Sequence, residues 1–140
     1  MLERRKQILS TLAEEIDFTW QYYTLQKIRF DDRIELTSAI DPALRNWRIP
    51  SMSLQTLVEN AVKHNSITGG NPLHIRIRTE GESFLIENNY TPRSDGDKES
   101  LGMGLERIRS VYRFYTEENI SISVGAGTFR CRLPLLPPEK

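Results

Sequence analysis

The feature that most constrains the fold is an apolar stripe between residues 53 and 65, repeated at the period of an α-helix. On a helix that turns by about 100° per residue, side chains three and four positions apart lie on the same side. Five apolar residues meet this condition, namely Leu54, Leu57, Val58, Ala61 and Val62. The sequence therefore predicts an amphipathic helix whose apolar side faces a core, with Ser51 and Ser53 as candidates to cap its N-terminus.

The segments around this helix alternate between helical and extended patterns. Residues 1–30 lack Gly and Pro and have apolar residues near helical spacing, which predicts one long helix with no N-terminal cap of its own. Alternation and β-branched residues predict a strand at residues 33–40 and hairpins at residues 73–89 and 120–135. Residues 102–115 open with glycines and continue as a helix. This order of elements predicts an α/β two-layer sandwich with helices on one face of a mixed, mostly antiparallel sheet.

Two segments have no periodic pattern. Residues 90–101 are polar, rich in turn formers and without an apolar period, which predicts a mobile loop. This loop runs directly into the glycine-rich turn at residues 102–104. The tail at residues 137–140 is predicted to fray, as chain ends commonly do.

Charge and cysteine content exclude several classes of function. The chain of 140 residues has 19 Lys and Arg and 19 Asp and Glu, so its formal net charge is zero, and no long-range field attracts nucleic acid or an anionic membrane. The single cysteine, Cys131, cannot form an internal disulfide, and no apolar run is long enough to cross a bilayer. These features predict one compact cytoplasmic domain that binds no nucleic acid.

The polar side of the helix at residues 53–65 is the first candidate site. Thr56, Asn60 and Lys63 gather there, with Glu59 and His64 at its flanks. An Asn carbonyl oxygen suits Mg²⁺, which takes a few protein oxygens and completes its octahedron with phosphates and water, and a Lys supplies charge for phosphates. The alternative is a solvated helix face on which Glu59 and Lys63 form an ion pair worth about 0.2–0.5 kcal/mol.

The second candidate site is the glycine pair in residues 101–108, LGMGLERI. Two glycines one residue apart, at the start of a helix, allow several backbone N–H groups to point at one anion such as a phosphate. The pattern is neither a dinucleotide fingerprint, which needs a third Gly and a preceding strand, nor a P-loop. A simple turn from loop to helix is the alternative.

Taken together, these stretches resemble a known family. Residues 50–65, PSMSLQTLVENAVKHN, resemble the N box of the GHKL ATPase and kinase superfamily, in the form found in LytS/YehU-type sensor histidine kinases. GMGL resembles the G2 box, and residues 125–135, GAGTFRCRLPL, resemble the closing hairpin. Residues 11–34 are similar to the helix and strand that precede the N box in these kinases. The resemblance implies a Bergerat-type ATP-binding fold that uses ATP and Mg²⁺.

The resemblance also implies roles for residues on the helix with the N box. Asn60 would chelate Mg²⁺, Lys63 would contact a phosphate, and Glu59 would order metal-bound water, so Glu59 and Asn60 are the catalytic candidates. His64 would lie at the nucleotide. For Glu59 and His64 the alternative of an ordinary polar helix flank stays open. Thr56 replaces the catalytic Glu of the chaperones and topoisomerases in this superfamily, which disfavours those classes.

Outside that helix, the resemblance places the nucleotide against the later motifs. Residues 90–101 would form a lid over ATP, Asn88 would accept a hydrogen bond from the adenine, and Thr128 would lie near the base. The G2 box would contribute the cofactor-binding residues Gly102, Met103, Gly104 and Leu105.

Two departures from the family pattern concern the adenine. The superfamily has Asp-x-Gly-x-Gly after its central strand, where this chain has Asn88 in place of the Asp and Tyr90 in place of a Gly. A neutral amide accepts a weaker hydrogen bond than a carboxylate, and a tyrosine ring adds bulk where the base should approach. The alternative function is therefore a degenerate nucleotide-binding module that acts as a regulatory interaction domain.

The resemblance further implies a division of labour within a larger kinase. Residues 1–30 would be a helix leading from a dimerisation region, and residues 31–140 the ATP-binding domain. The acceptor would be a histidine on upstream dimerisation helices, because His64 lies in the N box and His74 in a predicted strand. The fragment alone is then expected to be inactive. The parent protein is expected to be a homodimer anchored in the inner membrane, with this domain in the cytoplasm, and to signal to a response regulator.

Overall fold

The computed structural model describes residues 8–92 and 98–138, with side chains at residues 8–92 and 104–138. Its main sheet has five strands: β2 at Ile34–Ala39, β4 at Leu73–Glu80, β5 at Ser83–Asn89, β6 at Ser121–Gly125 and β7 at Thr128–Pro134. They lie in the order β2-β4-β5-β7-β6. Strand β2 is parallel to β4, and every other pair in this sheet is antiparallel. The mixed, mostly antiparallel sheet is therefore confirmed.

Both predicted hairpins are present. Strand β4 buries Leu73, Ile75 and Ile77 and turns its alternate residues outward, as the period of two requires. Strands β6 and β7 are joined at Ala126 and Gly127, which both have positive φ angles, of 52° and 74°. Two consecutive residues of this kind give the turn whose twist matches a tight hairpin.

A second sheet, of two short strands, was not predicted. Strand β1 at Leu9–Thr11 pairs antiparallel with β3 at Arg48–Pro50. The end of the chain is joined to it, because Arg48 exchanges two backbone hydrogen bonds with Leu136 and donates through its guanidinium to the carbonyl of Pro137. Pro137 is therefore held in place although the tail was predicted to fray, and residues 139–140 lie outside the described residues.

Three helices cover the inner face of the main sheet: α1 at Leu12–Phe30, α2 at Ser53–His64 and α3 at Lys98–Tyr115. Short 3₁₀ turns occupy Asp31–Arg33 and Pro42–Leu44. A single core lies between the helices and the sheet, as in the predicted two-layer sandwich. Among the described residues, no helix is long and apolar enough to span a membrane.

The first helix is shorter than predicted. It begins at Leu12, because Thr11 accepts a hydrogen bond from the backbone N–H of Glu14 while the Glu14 carboxylate accepts from the N–H of Thr11. This reciprocal arrangement is a capping box, and its signature Thr-x-x-Glu was visible in the sequence. The prediction that this helix has no cap was therefore wrong. Residues 1–7 lie outside the described part of the chain.

The third helix begins earlier than predicted. It starts at Lys98, so Gly102 and Gly104 lie inside the helix rather than in a turn before it. The residues ahead of the glycines, Lys-Glu-Ser-Leu, include good helix formers that extend it toward its N-terminus. Of the predicted loop, residues 93–97 are outside the described residues, and Asn65 and Pro92 form an isolated bridge just before them.

Candidate functional site

Helix α2 has the predicted apolar side and a polar side that is less uniform than predicted. All five residues of the apolar stripe are buried. On the polar side Glu59 and Lys63 are exposed and Asn60 is half-buried, whereas His64 retains only 8% of its accessible surface. His64 is therefore not an exposed flank of the helix.

A small cavity lies between the C-terminal half of α2 and the ends of β5 and β7. Its volume is about 10 Å³. It is lined by Leu57, Asn60, Ala61, His64, Asn65, Asn88, Tyr90 and Phe129. Three residues predicted to bind the cofactor, Asn60, His64 and Asn88, are thus brought to one place from two elements far apart in the sequence.

Asn60 has an unusual environment within this cavity. Its side-chain amide nitrogen is buried and has no hydrogen-bond partner among the described residues. An unsatisfied buried amide costs about 1–3 kcal/mol, so this nitrogen needs an acceptor that the described residues do not supply. Rotation of the same amide presents its oxygen in place of its nitrogen.

Asn88 is almost completely buried, with 2% of its surface exposed. Its amide nitrogen donates to the carbonyl of Asn89 at 2.8 Å, and the structure describes no donor to its side-chain oxygen. The neighbouring Asn89 instead joins two strands, because it accepts from the N–H of His74 and donates to the carbonyl of Pro72. The Asn88 side-chain oxygen therefore has no donor among the described residues, whereas both polar atoms of the Asn89 amide are used within the sheet.

The Tyr90 side chain lines the small cavity and takes up part of its space. Its ring packs against Phe129 with 6.3 Å between centroids, and its N–H donates to the carbonyl of Gly127 at 2.7 Å. The remaining volume of about 10 Å³ is close to that of a single water probe. A cavity of this volume cannot hold a purine unless its lining side chains move.

Asn65 is a residue of this region that the sequence reasoning missed. Its amide donates to the carbonyl of Ala61 at 2.7 Å, and its oxygen accepts from the N–H of Thr91 at 2.6 Å. Asn65 thus ties the end of α2 to the segment that follows β5. An Asn at a helix end is the sequence signal, since its short amide readily bonds nearby backbone groups.

Glu59 and Lys63 lie on a different side of α2 from the small cavity. They line a larger cleft between α1 and α2, with a volume of about 520 Å³. Helix α1 contributes Tyr22, Gln26, Arg29 and Phe30 to it. Glu59 accepts a hydrogen bond from Gln55 at 2.9 Å. Burial, and then the Glu59 charge, raise the pKa of Tyr22. The predicted site residues of α2 are therefore divided between two cavities.

The residues of the G2 box take different positions. The backbone of Gly102 and Met103 is part of helix α3, and Leu105 is buried in the core. Gly104 faces α2, where an added Cβ would lie 2.8 Å from the Cγ2 atom of Thr56. This glycine permits the close approach of the two helices. Thr128 pairs with Asn89 at the start of β7 and does not line the small cavity.

The groups in this region fit a magnesium ion held mainly by its nucleotide. Among the side chains described, at residues 8–92 and 104–138, no group of three or more His, Cys, Asp or Glu is placed to hold a metal ion. Mg²⁺ commonly keeps several waters and takes few protein ligands when it accompanies a phosphate. One amide oxygen, from Asn60, is consistent with that mode of binding.

Comparison with known sequences gives several relatives of one kind. No family model matches the chain. It is 33% identical over 120 residues to the sensor histidine kinase BtsS of Escherichia coli K12, which is 81% of this chain and 21% of that protein. It is 31% identical over 128 residues to the sensor histidine kinase YesM of Bacillus subtilis, covering 86% of this chain and 21% of YesM. The chain therefore spans about a fifth of the length of these relatives.

Solved structures of histidine kinases have a fold similar to that of this chain. The catalytic domain of histidine kinase ThkA, in a nucleotide-free form, matches with a TM-score of 0.62 and 18% identity, over 92% of this chain and 97% of that one. The cytoplasmic segment of histidine kinase QseC matches with a TM-score of 0.61 and 12% identity, over 91% and 76% of the two chains. At these identities the likeness concerns the fold alone.

Proposed function

The chain belongs to the sensor histidine kinases, with relatives of the LytS/YehU type, and we propose that it is the ATP-binding catalytic domain of such a kinase. In this proposal it transfers the γ-phosphate of ATP to a histidine on dimerisation helices outside these 140 residues. The parent protein would be a membrane-anchored homodimer with this domain in the cytoplasm, and it would pass the signal to a response regulator. Residues 1–30 would connect to the dimerisation helices.

The observation that carries the proposal is the convergence of Asn60, His64 and Asn88 on one cavity. The buried amide nitrogen of Asn60 and the side-chain oxygen of Asn88 both lack a partner among the described residues. A ligand with a polar edge and an adjoining metal-bound phosphate would satisfy both. An adenine nucleotide with Mg²⁺ has these two features in one molecule.

The chemistry asked of the protein is positioning more than covalent work. Phosphoryl transfer depends on in-line placement of the phosphate and on neutralising its developing charge. Bound Mg²⁺ would supply that neutralisation. Asn60 would hold the metal, Asn88 would orient the base, and Lys63 would bring its flexible ammonium from the neighbouring cleft to a phosphate oxygen.

Calorimetry with MgATP and MgADP tests the proposal. We expect weak binding by the wild-type chain, with a Kd from about tens of micromolar to millimolar, or roughly −6 to −4 kcal/mol, because the adenine site has a neutral acceptor and a bulky Tyr90. Asn60→Ala should remove the part of the affinity that depends on Mg²⁺ and leave the fold intact, since Asn60 lies off the apolar stripe.

Gln21→Ala is the control for Asn60→Ala. Gln21 is an exposed amide on α1 that lines neither cavity, so its removal should leave the magnesium dependence unchanged. Equal affinity of wild type and Asn60→Ala at saturating Mg²⁺ would remove Asn60 from the site.

A second function, a regulatory interaction domain that binds no nucleotide, is favoured by a separate observation. The cavity at Asn88 is almost filled, because Tyr90 packs on Phe129. Absence of heat and of thermal stabilisation at millimolar nucleotide would exclude the first function and favour the second.

A further inference from the structure

The start of helix α2 is capped by a side chain from another helix. Glu15 lies on α1 and retains only 3% of its surface. Its Oε2 atom accepts from the backbone N–H of Met52 at 3.0 Å, and its Oε1 atom accepts from the N–H of Leu54 at 3.2 Å. One buried carboxylate on α1 thus satisfies two free donors at the N-terminus of α2.

Helix α2 has no side-chain cap of its own. Its N-cap residue is Met52, which has a positive φ of 70° and a side chain that accepts no capping hydrogen bond. The predicted caps have other environments: the Ser51 hydroxyl contacts that of Ser10 at 2.7 Å, and the Ser53 hydroxyl is buried without a partner among the described residues. The negative charge of Glu15 also interacts favourably with the helix dipole.

The same junction is attached to α3. Arg107 donates through its guanidinium to the carbonyl of Ser51 at 2.8 Å. One turn further along α2, Thr56 lies against Gly104 of α3, with no room for a Cβ at that glycine. The first turn of α2 is therefore held between α1, through Glu15, and α3, through Arg107 and Gly104.

We propose that Glu15 is a positioning residue that holds α2 against α3 and so couples the position of α1 to nucleotide affinity. This inference rests on the proposed function, because it concerns regulation of the same site. Asn60 lies about two turns along α2 from the residues that Glu15 contacts. Because a helix moves as a rigid body, a shift of the first turn of α2 also moves Asn60. A movement of α1 that withdraws the carboxylate would release the first turn of α2 from its contacts with α3.

The chemistry of the carboxylate offers a readout that a purely structural contact lacks. Burial raises the pKa of Glu15, and the N–H donors of Met52 and Leu54 oppose that rise without cancelling it. The other groups that face it are the Ser10 hydroxyl, which lowers the pKa, and the Glu14 carboxylate, which raises it. Arg107 of α3 meets Ser51 on the same junction. Protonation leaves one good acceptor for two donors, so the contact weakens at a higher pH than an ordinary Glu would require.

The sign of the pH effect differs between stability and binding. A carboxyl whose pKa is raised on folding binds more protons in the folded state than in the unfolded state. Its contribution to the free energy of unfolding therefore falls as the pH rises from the pKa of the unfolded state to the pKa of the folded state. The affinity for MgADP should change in the opposite direction. It should rise with pH over this range, because the ionised carboxylate holds the first turn of α2 in place. Opposite pH trends of stability and affinity, both removed by Glu15→Gln, are expected.

The experiment compares Glu15→Gln with Asp17→Asn, which removes one exposed carboxylate from the same helix. MgADP affinity is measured between pH 5 and pH 8 on the full 140-residue chain, with hydrogen exchange of backbone amides in α2 and α3. Glu15→Gln should weaken MgADP binding at pH 7.5 by about fivefold or more, a typical size for coupling between sites, and should flatten the pH profile. Asp17→Asn should keep the wild-type affinity and profile.

Hydrogen exchange separates this inference from the proposed function. Faster exchange in Glu15→Gln at residues 104–111 of α3, as well as in α2, supports the coupling even when the wild type binds no nucleotide. Faster exchange confined to Met52–Leu54, or an affinity within about twofold of wild type, overturns it and leaves Glu15 a local cap. Should Glu15→Gln fail to fold, Glu15→Asp takes its place, because its shorter side chain withdraws the carboxylate while keeping the charge. The same changes in affinity and hydrogen exchange are then the criteria, without the change in pH profile.

Discussion

At the scale of single residues, two side-chain amides and one aromatic ring determine the polarity and the size of the cavity between α2 and β5. Asn60 and Asn88 supply polar atoms without partners among the described residues, whereas the Tyr90 ring lines the same cavity and packs against Phe129. In the proposed function the amides favour a bound nucleotide and the ring opposes its entry. The balance between these two effects would then set the affinity.

Tyr90→Ala should therefore strengthen MgADP binding by about three- to tenfold, or roughly 0.7–1.4 kcal/mol, because the base no longer has to displace a ring packed on Phe129. Calorimetry measures the change, with a thermal melt to check that the chain remains folded. Tyr115→Ala, at an exposed tyrosine on α3, is the control. Weaker binding by Tyr90→Ala would mean that the ring stacks on the base and assists it.

At the scale of elements, helix α2 is held at both ends by side chains with polar oxygens. Glu15 caps its N-terminus, and Asn65 fastens its C-terminus to Thr91. Its flank is fixed by the close approach of Gly104 on α3 to Thr56. These contacts determine where α2 presents Asn60.

Gly104→Ala tests the close approach of the helices. An added methyl group would lie 2.8 Å from Thr56 Cγ2, so we expect a cost of about 1–3 kcal/mol from overpacking, partly offset by about 1 kcal/mol from the better helix propensity of Ala. In a Thr56→Ser background, which lacks Cγ2, the same substitution should stabilise the chain. Urea unfolding of the four variants measures the coupling, and additive effects would show that Thr56 does not limit the packing.

At the scale of the whole molecule, the helices and both cavities lie on one side of the main sheet, and the opposite face is polar. On that outer face Glu87 accepts hydrogen bonds from Arg78 and Arg130. These bonds lower the pKa of Glu87 and outweigh the opposing effect of its burial. His74 lies on the same face, 3.8 Å from Glu35. The chain therefore separates its two histidines, one buried beside the cavity and one across the sheet.

This placement bears on phosphoryl transfer. Neither His64, which is buried, nor His74, on the far face, is placed to receive a phosphate in line, so the chain incubated alone with γ-labelled ATP should carry no acid-labile label. When the dimerisation helices of a parent kinase are supplied as a separate polypeptide, their histidine should be labelled slowly, because tethering no longer raises the effective concentration.

Two outcomes of that labelling experiment contradict the prediction. Acid-labile label on the chain alone would show that His64 or His74 is an acceptor, which His64→Gln and His74→Gln would distinguish. Unlabelled helices despite measured ATP binding would favour the regulatory function over a kinase.

Local pattern in the sequence determined the elements and their order. The spacing of apolar residues in α2, β4 and the β6–β7 hairpin shows which side chains are buried. This spacing depends only on residues close together in the sequence. The motifs at residues 50–65 and 125–135 likewise indicated the family. The Thr11–Glu14 capping box also depends only on neighbouring residues, so its Thr-x-x-Glu pattern could have predicted the start of α1.

Only the tertiary structure decided how these elements meet. Glu15 caps a helix whose N-cap residue lies 37 residues later, Tyr90 lines a cavity shared with α2, and the polar side of α2 is divided between two cavities. Each of these contacts joins segments far apart in the chain, and its existence depends on the distance and angle at which the elements pack. A periodic pattern specifies which face of a helix is buried, but it does not specify which side chain of another element reaches that face, because many packings bury the same apolar surface.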